Sequence, residues 1–175
     1  MLNEILAAVP GGSIYDTRYL AAPDATQLTV KIGSDNVIQF INDGLASCPE
    51  QRYALFGYSQ GATVTNQVLQ NFTTTSPQGQ QIKSIVNIGN PYHLPNKQGN
   101  ADENCGTTGI LNLIEDFGIP DAWYATGKVR DICFSDDQVC NGVSLGNIFS
   151  GEHLLYGFSE SVQKCGAEFV IPKIS

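Results

Sequence analysis

The chain has 175 residues, 42% of them hydrophobic and 15% charged, which fits one globular domain over 1–175 with a single sizeable core and excludes a disordered chain. Seventeen acidic residues against nine basic ones give a net charge of −8 without any Lys/Arg cluster, so the electrostatic footprint of a nucleic-acid partner is absent. No apolar run approaches 18 residues, which excludes a membrane-spanning helix.

In chain order, Leu2, Ile5, Leu6 and Val9 predict a short amphipathic helix that Pro10-Gly11-Gly12 ends. "MLNEILAAVPGG" has no basic stretch and is too short for a signal peptide. "SIYDTRYLA" reads as a strand with a polar interruption. Val37, Ile38, Ile41 and Leu45 predict a helix capped by Ser34 or Asp35. "YALFGY", 53–58, is a short apolar run of buried-strand type, and after it Val64, Val68 and Phe72 recur at intervals of four on one helix face. "IKSIVNIGNP" predicts a strand ending at Asn90-Pro91; residues 92–127 read as loop with one short helix around "GILNLIEDFG"; "GKVRDICF" is a further strand. Leu155, Phe158, Val162, Cys165 and Phe169 form a core-facing stripe on a final helix. Strands alternating with helices predict an α/β fold with a mostly parallel sheet, whose ligands bind beyond the carboxyl ends of the strands.

Between the strand at 53–58 and the following helix lies Gly57-Tyr58-Ser59-Gln60-Gly61, a Gly-x-Ser-x-Gly. A serine hydroxyl becomes a nucleophile when it is exposed on a sharp turn, faces a base and lies near oxyanion donors. The strand–turn–helix context supplies that turn, and the flanking glycines avoid clashes across it. "GVSLG", 142–146, matches the same pattern around Ser144 but lacks both a strand before it and a helical period after it. Ser144 is therefore read as a loop serine.

A nucleophilic serine needs a histidine base and an orienting carboxylate, in the chain order Ser, acid, His for this fold type. Of the two histidines, His153 follows the candidate acids and precedes the last helix. His93 comes too early and is read as a surface or loop histidine. Asp136 and Asp137 lie side by side between Cys133 and Cys140, and pattern alone does not choose between them. A Cys133–Cys140 disulfide closes this tight loop and is worth about 2–3 kcal/mol on a chain-entropy estimate. Cys48, Cys105 and Cys165 leave one thiol over, and the single sequon at Asn71 fits a secreted protein. Neither the cysteine spacing nor the scarcity of histidine suits zinc.

"GYSQG", the Cys-x-x-x-Asp-x-Val-Cys of 133–140 and the histidine of "EHLLYG" together resemble the cutinase family. "NIGNPYHLPNKQGNADENCGTTG" and "ATGKVRDICFSDDQVC" are similar to the middle segment of the fungal cutinase-like polyesterases. The resemblance implies a lidless α/β-hydrolase core and hydrolysis of short to medium acyl esters and polyesters. It implies Ser59 as nucleophile, His153 as base, Asp137 as orienting acid and the Gln60 backbone N–H as oxyanion donor, with no metal or cofactor and an extracellular location. Acetylxylan esterase shares the elbow and is the near alternative.

The resemblance begins at about "SIYDTRY". Nothing before Ser13 reads as the family's earlier strand, whose loop supplies a second oxyanion donor. The expectation is therefore an N-terminally shortened chain in which Cys48 has lost its partner. A catalytically weak or inactive protein is the other reading it carries. The chain is expected to be a monomer, with a dimer through Cys48 or an exposed sheet edge as the other arrangement.

Overall fold

The computed structural model describes residues 1–22, 27–101, 108–112, 117–142 and 151–175. Its helices are α1 (Leu2–Ala8), α2 (Leu28–Ser47), α3 (Gln60–Asn71), α4 (Pro77–Gln81), α5 (Asp121–Tyr124) and α6 (Glu160–Ile174). Its strands are β1 (Tyr53–Tyr58), β2 (Ile82–Ile88) and β3 (Val129–Ile132), and two 3-10 turns span Gly151–Leu154 and Tyr156–Phe158.

The strands pair in parallel in the order β1-β2-β3. Alternation along β1 sends Tyr53 and Leu55 to one face, where they pack with Ile41 of α2 and Val68 and Leu69 of α3. Ala54 and Phe56 point to the other, against Ile5 of α1 and Val162 and Val170 of α6. Each face of the sheet thus carries its own helical layer, the three-layer arrangement of an α/β-hydrolase-type fold. Parallel strands leave all their carboxyl ends on one side, and the Ser59 turn, the 133–140 loop and the His153 turn all follow that edge.

Several elements depart from the sequence expectation. Residues 13–19 form no strand. Tyr15 stacks on Phe40 with ring centroids 3.7 Å apart. Asn36 Oδ1 accepts from both Tyr15 Oη, at 2.9 Å, and Arg18 N, at 3.0 Å. The segment is held by side chains of α2 rather than by a neighbouring strand. The helix itself starts at Leu28, after Gln27 at φ 56°, so Ser34 and Asp35 are not its caps. Ser34 Oγ instead donates to Lys31 O and Gln67 Oε1, both at 3.0 Å, and Asp35 pairs with Lys31 at 2.6 Å. The helix expected around 109–118 is not present at 109–112, where the chain turns; its middle lies outside the described residues. Two short helices were not foreseen. α4 begins with Pro77 behind the Ser76 cap, whose Oγ accepts from Gly79 N at 3.0 Å. α5 exists to bury Trp123, whose Nε1 donates to Leu69 O at 2.9 Å. The last helix starts only at Glu160, so Leu155 and Phe158 stand before it and are exposed rather than in the core. Val162 does face the core, with Cys165 and Phe169 partly buried against it.

Candidate active site

At the end of β1 the chain reverses into α3 through Ser59, at φ 54° and ψ −122°. A non-glycine residue at such angles is strained by about 1–3 kcal/mol and is held there only by its surroundings. Here Ser59 N donates to Ile88 O of β2 at 2.9 Å, and Ala62 N donates to Ser59 O at 2.9 Å. Gly57 is required by the close passage of helix over strand, since a Cβ there would lie 2.5 Å from Gly61 O and 2.6 Å from Ala62 Cα. Gly61 is different: a Cβ would meet nothing nearer than Tyr19 Oη at 3.6 Å. The expectation that both glycines are sterically required therefore holds for the first only.

Ser59 Oγ lies 2.8 Å from His153 Nε2, and His153 Nδ1 lies 2.8 Å from Asp137 Oδ2. Asp137, the aspartate the resemblance implies, is fully buried and reaches His153, while Asp136 is exposed. Burial by itself raises the carboxyl pKa of Asp137. Hydrogen bonds from His153, Tyr156 and the Val139 backbone outweigh it and hold the group below its ordinary value. Tyr156 Oη donates to Oδ2 at 2.7 Å and Val139 N donates to Oδ1 at 2.8 Å. An ionised carboxylate only accepts, so His153 Nδ1 carries the proton and Nε2 is free to accept from the Ser59 hydroxyl.

The loop that carries Asp137 is closed by the expected Cys133–Cys140 disulfide, with Cα atoms 5.9 Å apart. Phe134 stacks on Tyr156 at 4.2 Å between centroids, and its N–H donates to Tyr156 Oη at 2.9 Å. On the opposite side the carboxylate and imidazole rest on Gly89, at φ 57°; a Cβ there would lie 2.9 Å from His153 Cε1 and 3.1 Å from Asp137 Oδ2. Gln60 opens α3, so its backbone N–H belongs to the first turn, which has no acceptor inside the helix. The Gln60 side chain turns away and donates to Ala22 O at 2.7 Å.

His93 lies in a loop, as the sequence led one to expect, but not at the surface. It is fully buried, with Nδ1 3.2 Å from Asp131 Oδ2. It ends a buried polar ladder in which Asn90 Nδ2 donates to Asp131 Oδ2, Asn66 Nδ2 to Asn90 Oδ1, and Asn87 Nδ2 to Asn66 Oδ1. The ladder fixes α3 against the ends of β2 and β3. Ser144 and Cys105 lie outside the described residues. Cys48 and Cys165 are free. Sequence reasoning missed Tyr58, Gly89 and Tyr156. The left-handed turn after an apolar strand was the one available signal, and it pointed at Gly89 only.

Leu154, next to His153 in sequence, is 60% exposed, and Phe158 is 88% exposed. A cavity of about 700 Å³ runs along the outer edge of β1, bounded by Leu6, Val9, Ile14, Phe40 and Phe56 and reaching Tyr58. Among the described residues no helix is long and apolar enough to cross a membrane.

Residues 1–174 match the family model described as Cutinase. A cutinase of Hypocrea jecorina is 26% identical over 140 residues, covering 80% of this chain and 44% of that protein. The probable carboxylesterase Culp3 of Mycobacterium tuberculosis is 28% identical over 169 residues, 92% of this chain and 55% of its own length. The chain thus spans about half the length of these curated relatives. Among solved structures, a cutinase-like protein from Cryptococcus sp. superposes with a TM-score of 0.87 at 32% identity, covering 99% of this chain and 83% of that one.

Proposed function

The chain belongs to the cutinase family, and from that premise we propose that it hydrolyses carboxylic esters through an acyl-enzyme on Ser59. The observation that carries the reading is the unbroken hydrogen-bonded chain Asp137–His153–Ser59, with 2.8 Å at each step.

Ser59 Oγ attacks the ester carbonyl while His153 Nε2 takes its proton. Asp137, held as an anion by three donors, steadies the imidazolium without itself being protonated. The carbonyl oxygen becomes an oxyanion and accepts from the Gln60 N–H, where the first turn of α3 also presents its positive end. The tetrahedral intermediate collapses as Nε2 returns the proton to the departing alcohol. Water then repeats the sequence on the acyl-enzyme and releases the acid.

The family likeness and the exposed Leu154 next to His153 in sequence favour short to medium acyl esters and polyester chains over charged substrates. A disulfide and an exposed sequon asparagine, Asn71, support an extracellular working place.

The test is hydrolysis of p-nitrophenyl butyrate by the purified chain beside Ser59→Ala, with a fluorophosphonate probe run on both. Activity and labelling in the wild type, both lost in the variant, are expected. Equal background rates from two folded proteins would remove the esterase reading. A marked preference for acetyl over butyryl esters would move it to the acetylxylan esterase alternative.

A further inference from the structure

Tyr58 is an anomaly for packing. It closes β1 at the position where alternation points toward α6, yet it is 44% exposed, so it adds little to the core. Its contacts converge instead on one residue. The phenol Oη donates to the backbone carbonyl of His153 at 2.6 Å, across 95 residues of sequence. The ring lies over the imidazole with centroids 5.2 Å apart and planes 25° from parallel, and it meets Tyr156 edge-on at 6.1 Å.

His153 rides on a four-residue 3-10 turn, Gly151–Leu154. Such turns have poor hydrogen-bond geometry, and the carbonyls at their C-terminal end lack partners within the turn. The side chain of His153 is oriented by Asp137, but that bond fixes the ring and not the backbone that carries it. Tyr58 supplies the backbone anchor, and it does so from the residue next to Ser59. One side chain therefore ties the segment bearing the base to the turn bearing the nucleophile.

Resting on the reading of Ser59 and His153 as nucleophile and base, we propose that Tyr58 is a positioning residue: it latches the His153 turn onto the Ser59 elbow and screens the imidazole from solvent. The phenol is suited to the task. Burial, then the Asp137 carboxylate, raises its pKa above the ordinary tyrosine value, so it remains a donor through the neutral and mildly alkaline range.

The experiment compares wild type with Tyr58→Phe, which keeps the ring and removes the donor, and Tyr58→Ala, which removes both. For Tyr58→Phe we expect kcat on p-nitrophenyl butyrate to fall about 3- to 10-fold, the scale of one neutral hydrogen bond, with KM within twofold. Fluorophosphonate labelling should slow by the same factor, and Tyr58→Ala should lose more. The second readout is independent of turnover: solvent exchange of the His153 Nδ1 proton by NMR, identified as the signal that His153→Gln removes. It should be faster in Tyr58→Phe by a similar factor, with the melting temperature little changed. Wild-type kcat and wild-type proton exchange in Tyr58→Phe, or a lower melting temperature with kcat intact, would overturn the latch. Should wild type itself show no turnover, the esterase reading fails, and the exchange comparison still decides whether Tyr58 holds the histidine.

Discussion

Gly89 is a demanding place to add a single methyl group. Its φ of 57° lies in the left-handed region, where an alanine costs about 1–2 kcal/mol on backbone grounds. The new Cβ would stand 2.9 Å from His153 Cε1 and 3.1 Å from both His153 Nδ1 and Asp137 Oδ2. Carbon atoms rest at about 3.5–4.0 Å, so the imidazole must retreat by about 0.6–1 Å. That motion lengthens the 2.8 Å bond to Ser59 or the 2.8 Å bond to Asp137, and a misplacement of this order costs about 100-fold in rate. Gly127→Ala is the control: φ is 68°, but nothing lies within 4 Å of its Cβ. Both variants should melt lower, by about 2–4 °C per kcal/mol for a chain of this size. Only Gly89→Ala should lose kcat on p-nitrophenyl butyrate, by about 100-fold. If the two variants lost stability and kept kcat alike, the close packing of the imidazole on this glycine would have no bearing on its function.

Asp137 predicts a pH dependence with a definite sign. Its folded-state pKa is depressed, so it contributes stability above the unfolded carboxylate value of about 3.9, and that contribution is lost as pH falls through the folded value. Calorimetry should show a melting temperature that drops below about pH 4 in wild type and less steeply in Asp137→Asn, which should also lose about 1,000- to 10,000-fold in kcat. The disulfide gives a second test. Cys133→Ser with Cys140→Ser should destabilise by about 2–3 kcal/mol, or about 4–12 °C, and should lower kcat beyond what the unfolded fraction explains, because Asp137 rides on the loop the bridge closes.

The elbow was legible because three local signals coincide: the apolar strand 53–58, a glycine that close packing requires at 57, and the helical period of Val64, Val68 and Phe72. The proposed base, His153, was legible by elimination, with two histidines and one permitted chain order. Asp137 over Asp136 came only from the family resemblance and not from local pattern, because the difference lies in burial and in Tyr156 and Val139, which converge only in three dimensions. The burial of the loop residue His93 was missed for the same reason: its partner Asp131 is 38 positions away, and no local pattern marks a buried polar ladder. The strand expected at 13–21 failed where hydrogen bonds donated to the Asn36 side chain of α2 replaced a ladder. The stripe failed only at its first two positions, because Ser159 caps α6, its Oγ accepting from Val162 N at 3.4 Å, and so leaves Leu155 and Phe158 outside the helix.

β1 is the first strand of the sheet, and among the described residues its outer side pairs with no strand. A row of backbone donors and acceptors beside an apolar cleft is a template for any extended chain, including "YALFGY" from another molecule. The net charge works against such association: at −8 each copy repels the next. With a sequence pI near 4.5, mild acid removes that repulsion while the Asp137 carboxylate, held below its ordinary value, still keeps its charge. The protein therefore keeps best in neutral, low-salt buffer, and acidification carries it toward precipitation through this edge before the site itself is lost.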